Sequence, residues 1–96
     1  MTKADVIAQI SEETGLERLE VQTVVETFMT VVKSSMAGGQ NVYLRGFGSF
    51  IVKERAEKTG INISNKETII SPAHNIPSFK PAKVFMDEVK TKVVLK

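Results

Sequence analysis

Apolar positions recur at helical spacing along the first third of the chain. Ala4, Val6, Ile7 and Ile10 line one side of a segment that Thr2 opens, with Asp5 three residues on, as in a capping box. Thr14-Gly15 closes that helix, because glycine takes the left-handed angle that ends helices cheaply. A second helix is expected from about Leu19 to Met36: Val21, Val24, Val25, Phe28, Val31, Val32 and Met36 form one broad stripe, and Gly38-Gly39 stops it. The two helices, joined by a short turn, make a helical hairpin. Met29 and Met36 fit its packing.

The period then changes. Asn41 to Leu44 alternates, with Val42 and Leu44 on one face of a short strand. Gly46-Phe47-Gly48 turns the chain, and Phe50 to Glu57 reads as a second strand. A hairpin tip falls near Gly60 to Lys66, where Asn62 and Asn65 suit a turn, and Glu67 to Ser71 returns. Ile76 to Pro81 is expected to be extended, since each proline disfavours helix in the residue before it. A last helix starts near Pro81 or Ala82 and carries Val84, Phe85, Val89 and Val93. The order α, α, three strands, α defines an α+β fold, with a two-helix hairpin, a three-stranded antiparallel sheet extended by a long ribbon at about 53–73, and a C-terminal helix.

Ninety-six residues with 42% hydrophobic content are expected to form one globular domain, 1–96. A chain this short buries a modest share of its surface, a projecting ribbon adds none, and oligomerisation is a common remedy. There is no cysteine, so disulfides and thiolate metal sites are excluded, and His74 is the sole histidine, so no zinc site can be built around it. No run approaches the roughly 18 apolar residues of a membrane span, and Met1-Thr2-Lys3-Ala4-Asp5 lacks the apolar core of a signal peptide. A cytoplasmic location is the default expectation.

The net charge of +2 is small, but its distribution is not even. Residues 1–44 hold three cations (Lys3, Arg18, Lys33) against six carboxylates, a net of −3, whereas residues 45–96 hold ten against five, a net of +5. That asymmetry is the footprint of a half that faces a polyanion. Its centre is the ribbon. Val52 to Ile63 is eleven residue steps, which at roughly 3.3 Å each span about 36 Å, enough to follow a duplex groove. Lys53 and Arg55 share a strand face, while Lys58 has the opposite parity and joins them only through twist or a bulge. An ordinary solvated hairpin would account for the cations, but not for the apolar tip Ile61-Asn62-Ile63 beside them. Minor-groove proteins insert residues such as Ile between base pairs to kink the duplex. Packing of Ile61 or Ile63 back on Ile69 or Ile70 is the competing explanation, and it serves for one of them more easily than for both.

Lys80-Pro81-Ala82-Lys83 leads into the last helix, whose first N–H groups and dipole favour an anion, so the two lysines make a phosphate clamp. Gly46-Phe47-Gly48-Ser49-Phe50 matches neither a Walker pattern nor G-x-G-x-x-G; Ser49 could donate to a phosphate, and the phenylalanines belong to a core or an interface. His74, near the base of the ribbon, reads first as a surface residue and second as a phosphate contact. Glu12 and Glu13 are adjacent on a helix and diverge, and nothing pairs a nucleophile with a base, so an enzyme is not expected.

The succession GFGSF, KERAEKTG, Ile61-Asn62-Ile63 and PAHNIPSFKPAK resembles the bacterial histone-like HU and integration host factor family, HU most of all, over essentially the whole chain. The resemblance implies an intertwined dimer, homodimeric or with a paralogue, whose two ribbon arms wrap the minor groove and bend double-stranded DNA with little sequence preference. It implies a place in the nucleoid and a role in DNA compaction, with no cofactor, metal or small-molecule substrate. The implied DNA contacts are Lys3, Arg45, Ser49, Lys53, Arg55, Lys58, Ile61, Asn62, Ile63, Lys66, Lys80 and Lys83, and the implied dimer core is Phe28, Phe47, Phe50 and Phe79. The family's tip usually reads Arg-Asn-Pro; here Asn62 keeps the Asn position, Ile61 replaces the Arg, and Ile63 takes the place of the proline wedge. Asn65-Lys66 stands for the family's Thr-Gly turn and places a charge near by. A sequence-preferring bender of the integration host factor type, and a dimeric protein-interaction module that no longer bends DNA, are the alternative expectations.

Overall fold

A computed structural model describes residues 1–61 and 68–94, with side chains for residues 1–57 and 72–94. Its elements run α1 (Lys3–Thr14), α2 (Arg18–Ala37), β1 (Val42–Leu44), β2 (Gly48–Arg55), β3 (Lys58–Ile61), β4 (Thr68–Ser71), β5 (His74–Pro81) and α3 (Lys83–Lys92). The chain divides into two compact units, Met1–Ser35 and Met36–Lys96.

The helical unit follows its sequence signals closely. The Thr2 hydroxyl accepts from the Asp5 N–H at 3.3 Å, and the Asp5 carboxylate accepts from the Thr2 N–H at 2.9 Å, a complete capping box. Those hydrogen bonds, the backbone one first, hold the Asp5 carboxyl below the usual carboxylate range. Gly15 sits at φ 76° and its N–H donates to the Ser11 carbonyl at 2.9 Å. Lys3 of α1 pairs with Glu26 of α2 at 3.0 Å. Ile7, Val21 and Val32 are buried, while Val24, Phe28 and Val31 of the same α2 stripe, and Leu19 near its start, are exposed.

In the second unit, β1, β2 and β5 form an antiparallel sheet in that order, and β3 pairs with β4 in a separate ribbon. The expected three-stranded sheet is present, but its third strand is β5, not the 67–71 return. The reason is β5's place at the sheet edge, opposite β2 alone. An edge strand leaves alternate N–H groups unpaired, so Pro77 and Pro81 remove no obligatory ladder bond. The 67–71 return instead pairs with β3, placing Ile61 opposite Thr68, Gly60 opposite Ile69 and Thr59 opposite Ile70. Both chains of the hairpin leave the ladder at one level: Ala56-Glu57 and Pro72-Ala73 separate the two sheets.

Gly46 turns the chain as expected, at φ 80°. Gly48 is a glycine for a different reason: a Cβ there would lie 2.6 Å from both the Lys80 carbonyl oxygen and the Phe79 ring. That close approach lets Phe79 cover the sheet. Phe47, Phe50, Phe79 and Phe85 form an aromatic cluster with paired centroids 4.9 to 6.4 Å apart, Phe47 and Phe85 stacked and the other pairs tilted. Of the expected dimer core, Phe47, Phe50 and Phe79 are thus joined by Phe85, and Phe28 lies on α2, 45% exposed.

Candidate nucleic-acid interface

The register of β2 and β5 sorts the sheet into two faces. Opposed residues project from the same side of an antiparallel pair, and neighbours along a strand alternate. One face carries Phe50, Phe79, Val52 and Pro77. The other carries Ser49 with Lys80, Ile51 with Ser78, Lys53 with Ile76, and Arg55 with His74. Lys53 and Arg55 of the ribbon and Lys80, which precedes the last helix, therefore share one surface. Lys53, Arg55 and Lys80 are all exposed on it.

His74 is more than an isolated surface residue. It stands directly opposite Arg55, and its Nδ1 lies 2.9 Å from the Pro72 carbonyl oxygen. A carbonyl only accepts, so Nδ1 carries the proton and the donor bond orients the ring.

At the other end of the sheet, Arg45, Ser49, Lys80 and Lys83 meet in one cleft, which Tyr43 also lines. Helix α3 opens at Ala82, which supplies no side-chain cap, and its first turn holds no acidic residue. No side chain of the cap or first turn accepts from its leading N–H groups. The Ala82 N–H itself donates to the Phe47 carbonyl at 2.9 Å, tying this helix start to the Gly46-Phe47-Gly48 turn.

Lys3 belongs to the helical unit and is engaged there. Its ammonium bonds Glu26, which also accepts from Gln22 at 3.1 Å. The Lys3 hydrogen bond, then that of Gln22, hold the Glu26 carboxyl below its ordinary range. Lys58 and Ile61 are placed by backbone pairing in β3, and Asn62, Ile63 and Lys66 lie outside the described residues. Sequence reasoning missed Tyr43 and Asn41, because neither carries a charge and the strand alternation marks them only as polar or exposed.

A two-faced sheet with cations on one side, a helical hairpin before it and a ribbon beyond it define an architectural nucleic-acid-binding fold. The chain belongs to the bacterial DNA-binding protein family, whose model matches residues 1–90. HU proteins are among its relatives. It is 40% identical over 90 residues to the DNA-binding protein HU of Thermus thermophilus, covering 94% of this chain and 93% of that protein. It is 38% identical over 92 residues to the SPbeta prophage-derived DNA-binding protein HU 2 of Bacillus subtilis, covering 96% of this chain and all of that protein. Its fold superimposes on an Anabaena HU–DNA cocrystal structure with a TM-score of 0.90 at 26% identity, over 95% of this chain and 99% of that one. Membership of a DNA-binding family, rather than any missing group, is what places the chain among non-enzymes. No helix among the described residues is long and apolar enough to cross a membrane.

Proposed function

We propose that two copies of this chain form an HU-type dimer that binds double-stranded DNA along the minor groove, bends it, and so compacts the nucleoid. The observation that carries this reading is the cationic sheet face, Lys53 and Arg55 on β2 with Lys80 on β5, in a fold superimposable on an HU–DNA cocrystal structure. Phosphate neutralisation by these side chains, with Arg45, Lys58 and Lys83, supplies affinity without reading bases. Selectivity then follows how easily a sequence deforms.

The arm tip supplies the bend. Ile63 acts as the wedge, with Ile61, Asn62 and Lys66 beside it in the groove. Wedge insertion is already general to minor-groove proteins of the HU and integration host factor type, and isoleucine has the bulk and apolarity it needs. Backbone pairing sets Ile61 opposite Thr68, not opposite Ile69 or Ile70. The dimer is supported by the thin core of a single copy: Ile7, Val21 and Val32 are its buried apolar side chains among the described residues, while Phe28, Phe47 and Phe79 stay exposed.

Duplex affinity measured across about 50 to 200 mM salt tests the reading. Log affinity falls linearly with log salt if phosphates are neutralised, and a flat response overturns it. Fluorescence energy transfer between the duplex ends reads the bend.

A further inference from the structure

Tyr43, Ser49 and Lys80 stand in one row across the three body strands, since Tyr43 pairs with Ser49 and Ser49 with Lys80. A row of this kind projects from a single face, here the one bearing Lys53 and Arg55. Tyr43 is 71% exposed, so burial does not explain how its hydroxyl is held.

Two hydrogen bonds do. The Val52 backbone N–H donates to Asn41 Oδ1 at 2.9 Å. A backbone N–H only donates, so the amide oxygen of Asn41 must face it and the NH2 must face the other way. That NH2 donates to Tyr43 Oη at 3.2 Å. The phenol oxygen is therefore the acceptor in this contact, and its own proton is turned away from Asn41. Tyr43 lines a cleft together with Arg45, Ser49, Lys80 and Lys83, and no acidic residue lines it. Three cations and two hydroxyls that can donate, with no carboxylate to compete, match an oxyanion carrying several lone pairs.

We propose that Tyr43 is a DNA-backbone contact in a phosphodiester site completed by Arg45, Ser49, Lys80 and Lys83, and that Asn41 is the residue that positions it. The site rests on the DNA-binding reading above, because its occupant is a backbone phosphate of the same duplex. Tyr43 donates its hydroxyl proton to a phosphate oxygen; Asn41, held by the Val52 N–H, acts on the phosphate through Tyr43.

The test is duplex binding by the full chain carrying Y43F, N41A or both, with the K53A/R55A double variant alongside and thermal unfolding as a check on folding. Y43F is expected to weaken binding about three- to tenfold, the effect of one hydrogen bond to a charged group near the surface. It removes no charge, so the slope of log affinity against log salt stays at the wild-type value. N41A is expected to weaken binding alone and to add little in the Y43F background, as for a residue acting through another. Wild-type affinity in Y43F overturns the proposal, as does an N41A penalty equally large with and without Y43F. If K53A/R55A weakens binding and Y43F does not, the Tyr43 site falls and the DNA-binding reading stands; if the wild-type chain binds no duplex, both fall.

Discussion

Gly48 lies against the Phe79 ring so closely that a single added methyl would come within 2.6 Å of it. Gly48 lies in the β2–β5 pairing whose register sets Lys80 beside Ser49 and Arg55 beside His74. Gly48→Ala is therefore expected to destabilise the fold by about 1–3 kcal/mol, the usual effect of overpacking a tight site. Chemical denaturation of both proteins checks it, and equal midpoints would show that Phe79 moves aside freely.

Lys53 and Arg55 share a face and are exposed on it. Changing both to alanine is expected to weaken duplex binding and to flatten its salt dependence. For every phosphate that is no longer neutralised, the slope of log affinity against log salt falls by about 0.9. Titrations at several salt concentrations read the slope directly; weaker binding at an unchanged slope would assign these residues to folding rather than to phosphates.

Ile63 is the proposed wedge, so Ile63→Ala should separate bending from binding. End-to-end energy transfer on a short duplex is expected to report a smaller bend, with affinity falling less. Unchanged bending would remove the wedge assignment while leaving the cationic face intact.

The Lys3–Glu26 pair makes an acid-side prediction. The Lys3 hydrogen bond lowers the folded-state pKa of Glu26, so the pair's stabilisation is present above the unfolded carboxylate value and is lost as pH falls through the lowered folded one. Wild type should therefore lose thermal stability below about pH 4.5 partly through this pair, and Glu26→Gln should remove that part of the dependence. Freed of its partner carboxylate, Lys3 should also bind phosphate more tightly, so Glu26→Gln is expected to raise duplex affinity in the same preparation.

The helices were legible because their signals are local. The Thr2–Asp5 capping box, the glycine at position 15 and the stripe from Val21 to Met36 act within a few residues of chain, and the structure places them where periodicity does. The Pro77–Pro81 stretch was not legible as a strand. Proline disfavours the middle of a sheet, and its tolerance at an edge depends on which strands β5 does and does not pair with, a long-range fact. The role of Gly48 was likewise hidden, since close approach to Phe79 leaves no mark in the local pattern.

The candidate site divides the same way. Charge asymmetry and residue type named Lys53, Arg55, Lys80 and Lys83 from the chain alone, because cations attract polyanions wherever they stand. The antiparallel register of β2 and β5 put Lys53, Arg55 and Lys80 on one face and the phenylalanines on the other. It also set Tyr43, a neutral residue without a motif, in line with Ser49 and Lys80. By itself the sequence determined the helices, the basic half and the residue types that meet phosphate. Tertiary structure alone decided which of them share a surface, because strand pairing joins residues 19 to 33 positions apart through backbone hydrogen bonds whose register no local pattern encodes.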